Sequence, residues 1–500
     1  MPRPRTRVIK KNETQPPYRI MLSRRKFIKS SALAASAFAI TPSWAKAANG
    51  DVRVAVVGVR GRGKSLIADV FRTEGARLVA LCDVDTAELA KRAAAVDEEY
   101  GVTVSQETDY RKLLERKDVD AVVLTTPNHW HALQTIWGCE AGKDVYVEKP
   151  VCHTVWEGRQ MVAAAKKYNR IVQAGFQNRS DVGLQEAFPW IHAGNIGEIK
   201  MVRGLCYRNR ASIGKIDTPL VPPKSVDYDT WLGPAEHQDL YRPELHYDWH
   251  WDFNTGNGDL GNQGPHELDL MRWILGDPDH PVKIQSLGGR FGWDDAGDTP
   301  NMGITTFDWG GIPALFEVRN LWVKPELNNA PNFKGSRVGV IVTCEGGEFR
   351  GGRGGGFVYD NDGERVKAFK GDRGSNHFPA FVKAVNSRKE SDVAAHLESA
   401  YKSSCLAHLG NISYLKGNDA KGKSVEKFAS KDGVLEETLG RYNEQMAEWS
   451  IDQSKELWKL GPELEFDARS EKFIGGDSYK QANKLLKKNY RPSYAVPSIA

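Results

Sequence analysis

The sequence predicts an α/β protein that begins with a parallel, doubly wound sheet. Three observations carry that expectation. An apolar run, Val52–Val57, stops at Gly58, Gly61 and Gly63 and passes into a helical pattern. A second run, the apolar part of "ARLVALCDVD" (76–85), stops at Asp83, 25 residues after Gly58. Two further runs, Ala121–Leu124 and Val145–Val147, break at Thr126-Pro127-Asn128 and at Glu148-Lys149-Pro150. None of these runs alternates apolar with polar residues, which is the pattern of strands buried on both faces of a parallel sheet.

The first two runs define strand, glycine turn, helix, strand and acid. Such a turn lets backbone N–H groups and a helix N-terminus approach a diphosphate, and the acid accepts hydrogen bonds from ribose hydroxyls. The glycine spacing is GxxGxG where the usual fingerprint is GxGxxG; the flanking strands and Asp83 support the dinucleotide reading. Ligands of open α/β sheets sit beyond the carboxyl ends of the strands. Lys149, at the end of the Val145–Val147 run, therefore stands where a cofactor or substrate would lie.

A chain of 500 residues implies two or three domains, and its 40% hydrophobic and 27% charged residues describe a globular protein. The net charge of +5 is concentrated at the start. Residues 1–47 hold eleven Lys/Arg and a single acid, Glu13, which leaves the rest at −5. A basic nucleic-acid footprint is not supported.

The first 47 residues read as a targeting segment. "SRRKFIK" precedes a short apolar run, Ser30–Ile40, and then "AKA" at 45–47. The run is too short to span a bilayer, so no stable membrane anchor is expected. The Arg24-Arg25 pair with Phe27 resembles a twin-arginine signal, and implies an exported, periplasmic protein. Met21 is read as the start, with residues 1–20 untranslated. Cys82, Cys139, Cys152, Cys206, Cys344 and Cys405 form no CxxC pair and no disulfide framework, which fits folding in the cytoplasm before export.

Taken together, the glycine turn, "TPNHWH", "EKP", "QAGFQNRS" (173–180), "YDTWLGP" (228–234) and "HLGNISYLKG" (408–417) resemble the Gfo/Idh/MocA oxidoreductases over roughly residues 50–420. The resemblance implies a Rossmann domain over 48–175 and an α+β domain over 176–420. The second domain would carry a large open, mostly antiparallel sheet, and the helical segments 378–387 and 395–414 would return to the first domain. Residues 421–500 are taken as a C-terminal extension without chemistry, and "GGEFRGGRGGG" (346–356) as a mobile loop or hairpin connection. The dinucleotide would be held by Gly58, Arg60, Gly61, Arg62, Gly63, Asp83, Thr126, Asn128, His131, Glu148 and Lys149.

Such enzymes move a hydride between a carbinol and a nicotinamide, which requires a proton acceptor, a donor to the reacting oxygen and in-line positioning. The resemblance makes Lys149 that donor and His266 the acid–base group. His266 follows the loop "GNGDLGNQGP" and precedes Leu268, Met271, Trp273, Ile274 and Leu275 at helical spacing, which puts it in the first turn of a helix. The family often has an aspartate four residues earlier, where this chain has Asn262. An amide cannot titrate, so Asn262 would orient the substrate or the imidazole. Gln177, Arg179, His250 and Asn262 are the candidate substrate contacts, with the aromatic stretch "HYDWHWDF" (246–253) as a wall. His246 and His250 lack a clear third ligand, so no metal is assigned.

Asp83 favours NAD over NADP because a carboxylate repels a 2′-phosphate, although Arg60 and Arg62 could offset that. An exported enzyme needs a tightly bound cofactor and a redox-neutral cycle. The main reading is an NAD(P)-dependent oxidoreductase acting on a sugar, cyclitol or glycoside hydroxyl. The alternatives are an NAD-dependent glycosidase or lyase working through transient C3 oxidation and elimination, and a non-catalytic exported sugar-binding protein. The resemblance also implies a homodimer or homotetramer formed through the open sheet face.

Overall fold

A computed structural model describes residues 50–499 apart from 453, 455–457 and 477; the expected signal segment lies outside the described residues. Two sheets organise the chain. The first has six parallel strands: β1 (Val52–Val57), β2 (Ala76–Cys82), β3 (Ser105–Glu107), β4 (Ala121–Leu124), β5 (Asp144–Val147) and β6 (Val172–Ala174). Their order is β3-β2-β1-β4-β5-β6. This is the doubly wound arrangement, and the reversal between β1 and β4 opens a crevice at their carboxyl ends.

The crossovers are helices α1 (Gly61–Arg72), α2 (Thr86–Tyr100), α3 (Tyr110–Glu115), α4 (Asn128–Glu140) and α5 (Val155–Lys167). Local chemistry fixes their ends. The Asp85 side chain accepts from the Ala87 and Glu88 N–H groups at the start of α2, and Gly101 closes that helix in the left-handed conformation at φ +66°. Thr154 and Glu157 form a reciprocal capping box on α5.

The second sheet has twelve strands, β7 (Ile199–Tyr207), β8 (Lys283–Gly289), β9 (Met302–Asp308), β10 (Ala314–Arg319), β11 (Val338–Cys344), β12 (Gly347–Gly352), β13 (Gly355–Asp360), β14 (Arg365–Lys370), β15 (Asn418–Ala420), β16 (Trp458–Leu460), β17 (Leu464–Asp467) and β18 (Lys472–Ile474). Its pairings are antiparallel except β7 with β10. The predicted α/β class, with a parallel sheet followed by a mostly antiparallel one, is the architecture observed.

Of the two readings of the glycine-rich stretch 346–356, the hairpin is the one observed: β12 and β13 pair antiparallel across a turn at Arg353-Gly354, and most of the stretch is strand. Its glycines suit a crowded sheet, since a side chain at Gly347 or Gly355 would run into the backbone of the neighbouring strand, and Phe349 lies over Gly351 and Gly356.

Helices α6 (Val182–His192), α7 (Tyr228–Leu232), α8 (Gly258–Asn262), α9 (Pro265–Ile274), α10 (His377–Ser387) and α11 (Leu397–Leu415) follow. Helix α10 packs on the first sheet, with Phe378, Phe381 and Val382 in one cluster with Val54, Val56 and Tyr146. Helices α9 and α11 lie on one face of the second sheet. Residues beyond 420 cover its other face: α12 (Lys423–Ala429) and α13 (Gly433–Glu448) place Val425, Phe428, Leu435, Leu439, Tyr442 and Met446 against Leu287, Ile304 and Leu315. Beneath α13, the buried Glu317 carboxylate is shared by Arg203, Arg441 and Tyr207. Among the described residues, no helix is long and apolar enough to cross a membrane.

Candidate active site

The glycine turn after β1 forms the first wall. Gly58 has φ +83°, and a Cβ there would lie 2.9 Å from the Thr125 carbonyl carbon. Gly63, in the first turn of α1, sits so close to the Gly58 carbonyl that no side chain fits. Gly61 differs, because nothing lies within 4 Å of where its Cβ would be. The turn is thus closed behind by two glycines and open in front of the α1 N-terminus, whose first turn carries no acid. At the end of β2, Asp83 accepts from the Val59 N–H at 2.9 Å and the Asp85 N–H at 3.0 Å. Burial pushes its pKa up, opposed by these two bonds. An open helix N-terminus behind a glycine turn, with an acid on the next strand, fits a dinucleotide.

The end of β5 forms the second wall. Glu148 is buried and accepts from Arg62 Nε at 2.7 Å and Gln177 Nε2 at 3.0 Å. Burial alone would raise its pKa, but the Arg62 and Lys149 charges outweigh burial and hold it at about 2. Lys149 precedes Pro150 through a cis peptide. Its Nζ donates to the Asn262 main-chain carbonyl at 2.6 Å. Burial lowers the lysine pKa, opposed by Glu148.

The loop leading to α9 forms the third wall. Gly256 lies against the His250 backbone and Gly258 has φ +63°, so the chain folds back tightly before α8. Pro265 occupies the first turn of α9, and His266 follows it. The His266 ring meets Phe176 edge-on at 6.1 Å, and its Nδ1 has no hydrogen-bond partner among the described residues. Burial, then the Lys149 charge, hold its pKa well below the ordinary histidine value. The imidazole is therefore uncharged at neutral pH, which is the protonation state a proton acceptor requires.

Asn262 faces an acid that sequence reasoning missed. Its Nδ2 donates to Asp259 Oδ1 at 3.1 Å. Asp259 is fully buried and also takes Arg210 in a fork (2.7 and 2.8 Å) and Asn320 Nδ2 at 2.8 Å. Burial would raise its pKa, but Arg210 outweighs it and keeps it ionised. Arg210 also donates to the Tyr247 hydroxyl at 2.6 Å. Tyr247 is 59% exposed and held at φ +68°, a conformation uncommon outside glycine. Its carbonyl lies 2.6 Å from His250 Nδ1, which leaves His250 Nε2 buried and unpartnered. Asp259 was readable within the glycine loop, whereas nothing in the sequence around Arg210 marked it as its partner.

Several expected contacts serve the scaffold instead. His131 has both ring nitrogens 2.7 Å from backbone carbonyls, those of Pro150 and Thr126, so neither is left for a cofactor. Asn128 is buried and donates to Asn257 Oδ1 at 3.3 Å, tying α4 to the active loop. The Thr126 hydroxyl donates to Gln134. Arg179 spends four of its five N–H groups on Asp269 and Asp277, and is not free to hold a hydroxyl. Gln177 donates to Tyr146 and Glu148 and supports the Lys149 turn. Arg60 pairs with Glu88 at 3.4 Å. His246 pairs with Asp85 at 2.9 Å while His250 faces Tyr247, so the two imidazoles do not share a ligand position.

This fold and site define a two-domain α/β protein whose first sheet is a Rossmann sheet with a dinucleotide-type glycine turn. Residues 52–176 match the model of the GFO_IDH_MocA oxidoreductase family, NAD-binding Rossmann fold, and residues 201–299 match the C-terminal alpha/beta domain of the same family. The chain carries the Rossmann and C-terminal domains of the Gfo/Idh/MocA oxidoreductases.

Inositol 2-dehydrogenase of Salmonella typhimurium is 27% identical over 235 residues, 47% of this chain and 57% of that protein. Glycosyl hydrolase family 109 protein 2 of Shewanella sp. ANA-3 is 35% identical over 172 residues, 29% of this chain and 38% of that protein. The chain thus spans about half the length, or less, of the curated relatives it matches. The WlbA dehydrogenase from Bordetella pertussis, solved with NADH and UDP-GlcNAcA, superposes with a TM-score of 0.51 at 18% identity, covering 71% of this chain and 94% of that one. Myo-inositol 2-dehydrogenase from Lactobacillus plantarum gives 0.50 at 21%, covering 72% and 96%. At these identities the solved structures bear on the fold.

Proposed function

We propose that this protein is an oxidoreductase that uses a tightly held NAD, with NADP as the alternative, on a CH–OH group of a sugar, cyclitol or glycoside. The observation that carries this reading is the 2.6 Å contact between Lys149 Nζ and the Asn262 carbonyl. It joins the cofactor-side strand β5 to the loop that presents His266. Residues 48–175 then serve as the cofactor domain and 176–420 as the substrate domain.

The bound nicotinamide supplies the electron-pair acceptor. The chain supplies the rest. Neutral His266 takes the hydroxyl proton at its unpartnered ring nitrogen. The Lys149 ammonium donates to the same oxygen as negative charge develops on it, in a site where such a hydrogen bond is strong. Asn262 holds Lys149 through its carbonyl and cannot itself titrate. Similarity to proteins named inositol 2-dehydrogenase supports a polyol substrate.

One observation favours the redox-neutral glycosidase reading. His250 Nε2 is a further buried, unpartnered imidazole nitrogen beside the loop, and oxidation next to a glycosidic carbon acidifies a C–H that a second base could deprotonate. Relatives named glycosyl hydrolase family 109 support the same reading.

We further propose export through the twin-arginine segment, with the dinucleotide carried along, and assembly as a homodimer or homotetramer. Native and denaturing mass spectrometry of the purified protein should reveal about one dinucleotide per chain. Incubation with a p-nitrophenyl glycoside without added NAD then separates the readings, since aglycone release marks the glycosidase and keto-polyol formation from myo-inositol marks the dehydrogenase. A protein that retains no dinucleotide and binds none when NAD is added would end both.

A further inference from the structure

Five consecutive carbonyls lead into the active loop, and each meets a side-chain nitrogen from elsewhere in the chain. Asn254 O accepts from Lys488 Nζ at 2.6 Å, and Phe253 O from the same ammonium at 3.3 Å. Thr255 O lies 3.1 Å from His129 Nδ1, and Gly256 O 2.8 Å from His153 Nε2. Asn257 O accepts from Asn411 Nδ2 at 2.9 Å. The donors come from α4, the turn before α5, α11 and the chain's last segment. A non-regular backbone segment at a buried site has no ladder to satisfy its carbonyls, and these side chains take the ladder's place. Directly beyond them come α8, the Asn262 carbonyl that holds Lys149, and His266.

Lys488 is the member of this set furthest away in sequence, and its own position is fixed independently of the loop. The Trp156 N–H donates to Leu486 O at 2.9 Å, the Tyr490 hydroxyl to Glu157 Oε1 at 2.9 Å, and the Ile499 N–H to Gln160 Oε1 at 2.7 Å. Tyr494 meets Trp130 edge-on at 5.5 Å. The tail is thereby strapped along α4 and α5. Among the described residues no carboxylate lies within ion-pair distance of Lys488, and burial lowers its pKa to about 8. Its hydrogen bonds go to those two carbonyls, while Glu157, Asp252, Glu236 and Asp298 favour its charge from beyond ion-pair distance.

We infer that Lys488 is a positioning residue of the active site: through the carbonyls of Phe253 and Asn254 it fixes the loop that aligns Lys149 and His266, so the C-terminal segment is part of the catalytic apparatus. This rests on the function proposed above. The test uses the full chain with its retained dinucleotide, as wild type, Lys488→Met and Lys488→Arg. Amide hydrogen exchange is followed in peptides covering 253–266 and in the helices α4 and α5, and turnover is followed with myo-inositol and with a p-nitrophenyl glycoside.

In Lys488→Met, exchange over 255–262 should rise about tenfold while α4 and α5 stay within about twofold of wild type. The turnover number should fall about tenfold or more with a much smaller change in KM, because misalignment harms the reacting geometry more than binding. Lys488→Arg, which restores a donor, should recover most of both. Unchanged exchange in the loop overturns the inference. So does an equal rise in α4 and α5, which would make the lysine a general staple. Should Lys488→Met fail to fold, Lys488→Gln, whose shorter side chain cannot reach both carbonyls, is read instead: loop exchange above wild type with α4 and α5 unmoved supports the positioning, and unchanged loop exchange overturns it. Faster loop exchange in a protein that turns over neither substrate would count against the proposed function and leave the positioning intact.

Discussion

The Lys149 ammonium donates to the main-chain carbonyl of Asn262, and the side-chain amide of Asn262 donates in turn to Asp259. This relationship explains why an amide occupies position 262. A carboxylate there would face the ionised Asp259 carboxylate at about the 3.1 Å now spanned by a hydrogen bond, and two such groups cannot both ionise cheaply. Asn262→Asp should therefore destabilise the fold by roughly 1–3 kcal/mol at pH 7 and lower kcat/KM by about tenfold or more. Both losses should shrink as the pH is lowered toward 5 and the new carboxyl takes up a proton. Chemical denaturation and steady-state rates at pH 5 and 7 check this; a stability loss independent of pH would remove the like-charge explanation.

The charge of Lys149 also acts on His266, whose pKa is depressed first by burial and next by that ammonium. Replacing Lys149 with Met should raise the histidine pKa toward its ordinary value, since the repulsion is gone while the burial stays. The sign is specific: a lysine that merely packed in the site would leave the imidazole unmoved. NMR titration of the His266 ring in wild type and Lys149→Met measures the shift directly, and a downward or absent shift would show the two groups to be uncoupled.

Four strands of the first sheet, β1, β2, β4 and β5, were legible because they are short, mostly apolar runs that break near the strand ends, whereas β3 (Ser105–Glu107) and β6 (Val172–Ala174) are too short and polar to show such a run. His266 was legible for a related reason: the loop glycines and Pro265 mark where a helix must begin. Partnership was harder to read. Arg179 and His131 looked like free polar groups beside strand ends. Whether such a side chain faces a ligand or a buried carboxylate depends on which remote segment folds over it, here Asp269 and Asp277 for Arg179 and two backbone carbonyls for His131. Arg210, Asp259 and Lys488 meet their partners across 49 to 235 residues, a distance over which local pattern carries no signal.

Glu148 links the glycine turn to β5 through Arg62, and its pKa of about 2 against an ordinary 4.5 has a consequence for stability. A carboxyl depressed in the folded state stabilises that state above its unfolded pKa, and the contribution is lost as the pH falls from about 4.5 toward 2. The linkage is worth roughly 3 kcal/mol. Glu148→Gln should melt below wild type at pH 7, and the gap should close steadily between pH 5 and pH 2. Melting curves across that range test this, and a gap that widened with acid would contradict it.

The three glycines of the turn should separate folding from binding. Gly63→Ala meets the Gly58 carbonyl, and Gly58→Ala meets Thr125 at positive φ; each should cost about 1–3 kcal/mol or more in stability. Gly61→Ala meets no protein atom, so its cost is confined to the strain of a Cβ at φ +20°, about 1 kcal/mol. Its methyl would instead occupy the space in front of the helix where a diphosphate approaches. Retained dinucleotide should fall in Gly61→Ala by more than this modest loss of stability explains. Full retention there would move the diphosphate away from this turn.

The last prediction concerns the second sheet, whose strands present alternate residues to opposite sides. Ser286 and Thr305 face α11, whereas Leu287, Ile304 and Leu315 face α13, where Leu439 and Met446 cover them. Tyr442 anchors the helix by donating to the Gly303 and Val318 carbonyls at 2.8 and 2.9 Å. The chain thus covers with its own C-terminal helix a sheet face that is an apolar patch when bare, and such patches drive association. The double variant Leu439→Glu/Met446→Glu should detach α13 and expose that face. Native mass spectrometry over a concentration series should then show larger assemblies than wild type, with dinucleotide retention preserved because the cofactor turn lies on the other sheet. A variant that keeps the wild-type assembly state at every concentration would mean that α13 does not shield an adhesive surface.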